Sequence, residues 1–259
     1  MRHARGFTLI EMIIAMVITG ILAGVVAVFI GGPVRGYVDT ARRAELTDMA
    51  DLALKRMALE IRTAVPNTVN ISSTFVEFIP TSAGGRYCTD SEACPNTNPL
   101  KFGTASLQAS FDVLGPSLPG SVIAGDQVII YNTGQSGLNA YSANNCATHG
   151  SHTSTSVSVT GSAFPYASPS NRFFIAPATG PVRFSCSGKQ ITRSTGTAFC
   201  GITPAATSAL LLAADDSVNC NFTYDQTSAT DGLVTLKITL TSGGESVTLY
   251  DQIHVDNMP

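Results

Sequence analysis

The chain opens with a contrast between a short basic leader and a long apolar run. Between Phe7 and Ile30 the clearly polar side chains are Thr8, Glu11 and Thr19. These 24 residues would form about 36 Å of helix, which exceeds the roughly 30 Å core of a bilayer. The pattern therefore predicts a membrane-spanning helix over residues 7–32. A carboxylate inside such a helix costs about 2.5–3.5 kcal/mol on insertion scales, so Glu11 is the first candidate for a functional residue.

An amphipathic continuation of this helix is predicted over residues 33–65. Pro33 is expected to kink or interrupt the helix near the bilayer exit. The helix is predicted to end at Val65, because the residue before a proline disfavours helical geometry. Apolar side chains recur at the spacing of one helical face. These are Leu46, Met49, Ala50, Ala53, Met57 and Ile61.

Residues 66–259 consist of short runs of β-branched and aromatic residues separated by Gly, Pro, Ser, Thr and Asn, which is typical of strands and turns. Tight hairpins are predicted at Ser187-Gly188 and Ser242-Gly243-Gly244, and Thr133–Asn171 is predicted to form exposed loops around one or two strands. We expect an α+β fold with one long helix on a single, mainly antiparallel β-rich head. The predicted strands are Thr74–Ile79, Asp126–Tyr131, Ser156–Thr160, Arg172–Ile175, Val182–Cys186, Gln190–Arg193, Val218–Tyr224, Leu233–Leu240 and Val247–Val255.

The cysteines of this chain all lie beyond the membrane segment. An even number in that position indicates disulfides formed in an oxidising compartment, and the spacings do not supply a zinc motif. Many pairings are open. We favour Cys88–Cys94 as a small loop and Cys186–Cys220 between strands, which leaves Cys146–Cys200. The six are Cys88, Cys94, Cys146, Cys186, Cys200 and Cys220.

The net charge of −3 is unevenly distributed along the chain. Residues 66–259 hold seven Lys/Arg and twelve Asp/Glu, so the head lacks the basic footprint of a nucleic-acid-binding domain. The sequence contains no nucleophile elbow, phosphate-binding loop or zinc-protease motif, and we expect no enzymatic activity. No metal or cofactor is expected either. His149 and His152 have no carboxylate nearby in sequence, and Asp215-Asp216 is more typical of a loop cap than of a calcium site.

The leader and apolar run alone are compatible with an ordinary single-pass anchor, because Arg35, Arg42 and Arg43 follow the run. The six residues Gly6-Phe7-Thr8-Leu9-Ile10-Glu11, however, resemble the processing motif of type IV pilins and type II secretion pseudopilins. The resemblance implies that residues 1–6 are a leader peptide removed after Gly6 by a prepilin peptidase, and that Phe7 is then N-methylated. It also implies that the Glu11 carboxylate pairs with the N-terminal amine of Phe7 on a neighbouring subunit.

Two further stretches extend the resemblance. Residues 52–67 resemble the end of the long helix in the larger, J-type minor pseudopilins. Segments of the tail are similar to minor pilins of the mannose-sensitive haemagglutinin (MSHA) pilus, namely Val182–Cys186, Val218–Tyr224, Gly232–Leu236 and His254–Pro259.

These likenesses imply an assembly subunit with a periplasmic head, anchored in the inner membrane and later placed in a filament, at its tip. Its partners would be other minor and major pilins, the prepilin peptidase and the inner-membrane assembly platform. A type II secretion pseudopilin and a tip adhesin that binds through the Thr133–Asn171 loops are the alternatives.

Overall fold

The computed structural model describes residues 7–226, 228 and 230–259. One long helix, α1, runs from Leu9 to Ile61, and Pro33 lies inside it without interrupting it. The helix ends before the predicted position at Val65. The reason is that Ala64 already forms a bridge with Pro80 and the Val65 N–H donates to the Ile79 carbonyl at 2.8 Å, so the chain has joined a sheet before it reaches Pro66.

The second half of α1 packs on the head through the predicted face. Five of the six predicted apolar residues are buried there, and Met49 is partly buried. Leu54 and Ala58 are buried as well, which widens the apolar stripe beyond the predicted one. By contrast, Leu52 and Leu59 are 71% and 66% exposed on the opposite side of the helix.

Every strand predicted from the sequence is present, and the described residues form fourteen strands in all. All pairs between these strands are antiparallel, which confirms the α+β fold with a mainly antiparallel β-rich head. The strands are β1 Asn70–Ser72, β2 Phe75–Phe78, β3 Ala83–Tyr87, β4 Ser110–Leu114, β5 Gln127–Ile129, β6 Cys146–His152, β7 Ser156–Gly161, β8 Arg172–Ala176, β9 Val182–Ser187, β10 Gln190–Thr195, β11 Thr207–Ala213, β12 Ser217–Gln226, β13 Asp231–Ser242 and β14 Glu245–Asp256.

The strands form two open sheets and one barrel. The first sheet has the order β1-β2-β9-β10-β11, the second has the order β12-β13-β14, and the barrel closes through β3-β4-β7-β6-β5-β8. Both predicted hairpins are present, with β9 joined to β10 at Gly188 and β13 joined to β14 at Gly243 and Gly244. These three glycines have positive φ angles of 62°, 56° and 84°, a conformation that glycine adopts without steric cost.

The buried side chains of the head form three clusters. The first lies between α1 and the two open sheets and includes Met57 and Phe184. The second fills the barrel, where the rings of Phe111 and Phe173 meet edge to face with centroids 5.6 Å apart. A third, smaller cluster draws residues from both parts, among them Val65 beside α1 and Ile129 from barrel strand β5. The head therefore consists of two packed units joined by shared apolar contacts.

The β13–β14 hairpin fixes α1 to the head. Arg42 donates from Nη1 to the Gly243 carbonyl at 3.1 Å, and Arg43 forms an ion pair with Glu245 at 2.5 Å. A Cβ atom on Gly243 would lie 2.5 Å from the Arg42 guanidinium carbon. The hairpin tip and the helix are thus fitted closely at this point.

Three disulfides cross-link the head. They join Cys88 to Cys94, Cys146 to Cys200 and Cys186 to Cys220, which are the three pairs favoured from the sequence. Cys146–Cys200 ties barrel strand β6 to the connection between β10 and β11, and Cys186–Cys220 links the two open sheets through β9 and β12.

Candidate functional site

The start of α1 has the geometry of a capped helix. Thr8 is the N-cap residue, with extended backbone angles of φ −79° and ψ 153°. Its Oγ1 accepts a hydrogen bond from the Glu11 backbone N–H at 3.4 Å, which satisfies one of the free donors of the first turn. The spacing Thr-x-x-Glu is that of a capping box. The sequence carries this signal, although the hydropathy pattern alone shows Thr8 only as one polar residue in an apolar run.

The cap places the Glu11 carboxylate in the first helical turn. The helix dipole favours a negative charge there, by about 0.3–1 kcal/mol at an exposed site. That gain is smaller than the cost of about 2.5–3.5 kcal/mol of holding the charge among lipid chains. Helix capping alone therefore does not account for a carboxylate at this position.

The apolar half of α1 is uncovered along its length. None of the residues in its most apolar stretch is buried. Within the described part of the chain, α1 is the one helix that is long and apolar enough to span a membrane. Phe7 is 81% exposed. Within residues 7–226, 228 and 230–259, no ion pair or side-chain hydrogen bond involves the Glu11 carboxylate. Gly6 lies outside the described residues.

Glu11 therefore lies on an apolar helix whose faces are all free to contact lipid or other helices. A charge in a membrane is tolerated mainly when it meets a partner of opposite sign. A second subunit that brings a positive charge to Glu11 would supply that partner and would also fix the register between the two helices, since a misplaced helix would leave the acid unpaired.

The two neighbouring aspartates Asp215 and Asp216 have a structural role. Asp215 accepts a hydrogen bond from the Ser242 hydroxyl at 2.8 Å, and Asp216 accepts one from the Gly243 N–H at 2.7 Å. Both carboxylates therefore cap the tip of the β13–β14 hairpin. Among the described residues, no group of three or more His, Cys, Asp or Glu side chains is arranged to hold a metal ion.

Buried polar side chains that sequence analysis did not single out also have structural roles. Burial by itself raises the pKa of Asp112, but hydrogen bonds from the Asn96 side chain and from the backbone N–H groups of Asn96 and Asn98 outweigh it, so the pKa is lowered overall. Burial raises the pKa of Tyr87 to about 12. In the described part of the chain every buried side-chain nitrogen and oxygen has a hydrogen-bond partner, as is usual for structural polar groups.

Comparison with known proteins finds a family match for the N-terminal segment. Residues 1–27 match the family described as prokaryotic N-terminal methylation motif, which is the type IV pilin-type prepilin signal. No curated protein and no solved structure matches the chain.

The matched segment supports a type IV pilin-like or pseudopilin-like chain. The long apolar helix that begins within it fits membrane anchoring and filament assembly. The prepilin motif implies processing by a prepilin peptidase and assembly with other pilins.

Proposed function

We propose that this chain is a minor pilin, an assembly subunit of an MSHA-like type IV pilus that primes or caps the filament. The observation that carries the proposal is Glu11, a carboxylate without a partner in the described residues, which lies in the first turn of an exposed apolar helix and within the prepilin motif. In the filament the Glu11 carboxylate pairs with the amine of Phe7 on a neighbouring subunit. That pairing compensates the charge and selects the register in which helices bundle.

The size of the head supports a minor rather than a major subunit. Removal of residues 1–6 leaves 253 of the 259 residues, which is bulky for a repeating building block. The two-part head with three disulfides provides a rigid surface that selects neighbouring subunits. We place the head in the periplasm before assembly, where disulfides form, and at the filament tip afterwards.

Within this class we propose a protein similar to the MSHA biogenesis minor pilin MshO, on the resemblance of the tail segments. A J-type pseudopilin of a type II secretion system is the main alternative, since it uses the same assembly chemistry for a different client. The genes that neighbour this one separate the two, because each system is encoded with its own assembly components. A tip adhesin is a further alternative, in which trimming the exposed loops of 133–171 outside barrel strands β6 and β7 would abolish attachment while leaving the number of pili unchanged.

We also infer a non-catalytic role. The sequence contains no nucleophile elbow, phosphate-binding loop or zinc-protease motif. An ion pair between Arg183 and the buried Glu77 at 2.8 Å joins neighbouring strands β2 and β9, and Glu77 also accepts a hydrogen bond from the Thr197 hydroxyl. These contacts stabilise the sheet.

The pairing role is tested by Glu11→Ala in cells that make the filament. We expect normal cleavage and membrane insertion but poor incorporation into sheared filaments. A loss of about 3 kcal/mol, at the low end for a broken buried ion pair, corresponds to a decrease of roughly 100-fold. Glu45→Ala is the matched control, because Glu45 is an exposed glutamate of the same helix beyond the apolar run, and it should leave incorporation unchanged. Equal incorporation of the Glu11→Ala variant and the parent chain would count against the pairing.

A further inference from the structure

Two histidine rings lie side by side in strand β6, although their spacing in the sequence does not predict that they meet. The Nε2 atom of His149 lies 3.3 Å from the Nδ1 atom of His152, and the ring centroids are 5.3 Å apart. In a regular strand, residues three positions apart point to opposite faces of the sheet. The close approach of these rings therefore requires an irregularity in the strand.

A β-bulge supplies that irregularity. His149 pairs with Val159 and His152 pairs with Val157, so two residues of β6 face one residue of β7 between them. Ser158 stabilises the bulge, because its Oγ accepts from the Ser151 N–H at 2.8 Å. Gly150 leaves the necessary room, since a Cβ atom there would lie 2.8 Å from the same Oγ. Bulges of this kind re-aim side chains and are frequent next to functional sites.

The imidazole of His149 is oriented by a second contact. The residue is only 2% exposed, and its Nδ1 lies 2.9 Å from the Ile123 carbonyl oxygen. Because a carbonyl only accepts, Nδ1 carries the proton and Nε2 presents a lone pair toward His152. A histidine that ligates a metal in proteins almost always donates its other ring N–H to a carbonyl, a carboxylate or water in this way.

We propose that His149 Nε2 and His152 Nδ1 bind a divalent late transition-metal ion, of the Zn²⁺, Cu²⁺ or Ni²⁺ class. Two ligands at about 2.0–2.1 Å from a tetrahedral metal lie about 3.3–3.4 Å apart, which is the separation of these nitrogens. Imidazole suits these ions, whereas Ca²⁺ and Mg²⁺ prefer oxygen ligands. Without an ion, the His152 Nδ1–H donates to the His149 Nε2 lone pair at 3.3 Å. His152 is only partly buried, so solvent takes that proton and returns one to Nε2 when the ion binds, and Nδ1 then faces the ion with its lone pair. Water completes the coordination sphere.

The site is a feature of the head and does not depend on the role of the chain in a filament. Two protein ligands give a weaker site than the three or four of a catalytic or structural zinc centre, and affinity rises when a neighbouring molecule adds a third. The disulfides contribute nothing to it, because no cysteine in the described residues is free.

The test is a titration of the full-length, oxidised, detergent-solubilised chain without an affinity tag. Every sample carries His3→Gln, so that the histidine in residues 1–6 offers no ligand. Calorimetry with Zn²⁺ should give one ion per chain. Electron paramagnetic resonance with Cu²⁺ should show hyperfine splitting from two imidazole nitrogens.

His152→Gln removes one of the two protein ligands. It should weaken Zn²⁺ binding at least as much as loss of an outer-shell partner does, which is about tenfold or more, and should leave the splitting of one imidazole nitrogen. The matched control is His254→Gln, because His254 is exposed on β14, and it should bind as the parent does. Ser158→Ala keeps both imidazoles but releases the bulge, and should weaken binding without removing either ligand. Zn²⁺ affinity that is unchanged in His152→Gln, or lowered equally in His254→Gln, would overturn the proposal.

Discussion

Leu52 and Leu54 offer a direct test of how α1 packs on the head, because the same residue type lies two positions apart on opposite sides of one helix. Leu54 is 4% exposed within the cluster between α1 and the open sheets, and Leu52 is 71% exposed. Replacing leucine with alanine removes three carbon atoms, worth about 2.4 kcal/mol at roughly 0.8 kcal/mol per buried CH₂. The cavity left at Leu54 adds to this, for a total of about 3–4 kcal/mol.

At Leu52 less than a third of the side chain is removed from water, so the same substitution should cost at most about 0.7 kcal/mol. The higher helix propensity of alanine offsets part of that loss. Leu54→Ala should lower the melting temperature by roughly 6–16 °C, at about 2–4 °C per kcal/mol for a chain of this size. Leu52→Ala should leave it nearly unchanged.

The transition is followed by near-ultraviolet circular dichroism of the seven tyrosines, since the chain has no tryptophan. All tyrosines but Tyr37 lie beyond α1, so the signal reports mainly on the head. Equal losses of stability in the two variants would refute the packing, as would a larger loss for Leu52→Ala.

Two further predictions concern the stability of the head. Replacing both cysteines of the Cys146–Cys200 bridge with serine should cost about 4 kcal/mol of unfolding free energy, because this bridge spans 54 residues. The same replacement of the Cys88–Cys94 bridge, which spans 6 residues, should cost about 2 kcal/mol. Equal losses of unfolding free energy, measured in urea, would contradict a stabilisation that grows with loop length. Asp112 has a lowered pKa in the folded chain, so it stabilises the fold above its unfolded-state pKa of about 3.9 and loses that contribution as the pH falls through its folded-state pKa. Asp112→Asn should therefore lose less stability than the parent between about pH 5 and pH 2, and an identical acid profile would contradict the assignment.

The sequence predicts those elements whose pattern is local. Strand β13 alternates along its length, and its buried residues Val234, Leu236, Ile238 and Leu240 face the core as the alternation indicates. The hairpin at Ser187-Gly188 is readable because glycine supplies the left-handed conformation that the turn needs. The disulfide pairs could be favoured for a similar reason, since Cys186 and Cys220 lie in runs recognisable as strands.

The strands that the sequence does not reveal depend on distant partners. Strand β3 contains Gly84 and Gly85, which have low strand propensity. A Cβ atom at Gly85 would lie 3.0 Å from the ring of Phe173 on β8 and would crowd that ring. Strand β11 lacks alternation, since four of its residues in a row are exposed at the edge of the first sheet. Such strands are defined by closure of the barrel and by sheet order, which no short window of sequence contains.

The N-terminal assembly segment and the His149–His152 pair also differ in how far the sequence predicts them. The assembly segment is readable from the sequence because all of its parts, from Gly6 to Glu11, are consecutive. The histidine pair was not, because a three-residue spacing in a strand normally separates side chains. Only the bulge opposite Ser158 brings His149 and His152 together.

The central claim is that the N-terminus is a processed segment for assembly rather than an ordinary membrane anchor. Intact mass spectrometry of the chain, isolated from cells with an active prepilin peptidase, tests it in one measurement. The account predicts a chain that begins at Phe7, carries one added methyl group and lacks two hydrogens for each of three disulfides. A chain that still contains residues 1–6 under these conditions would contradict it and would leave a simple tethered ectodomain.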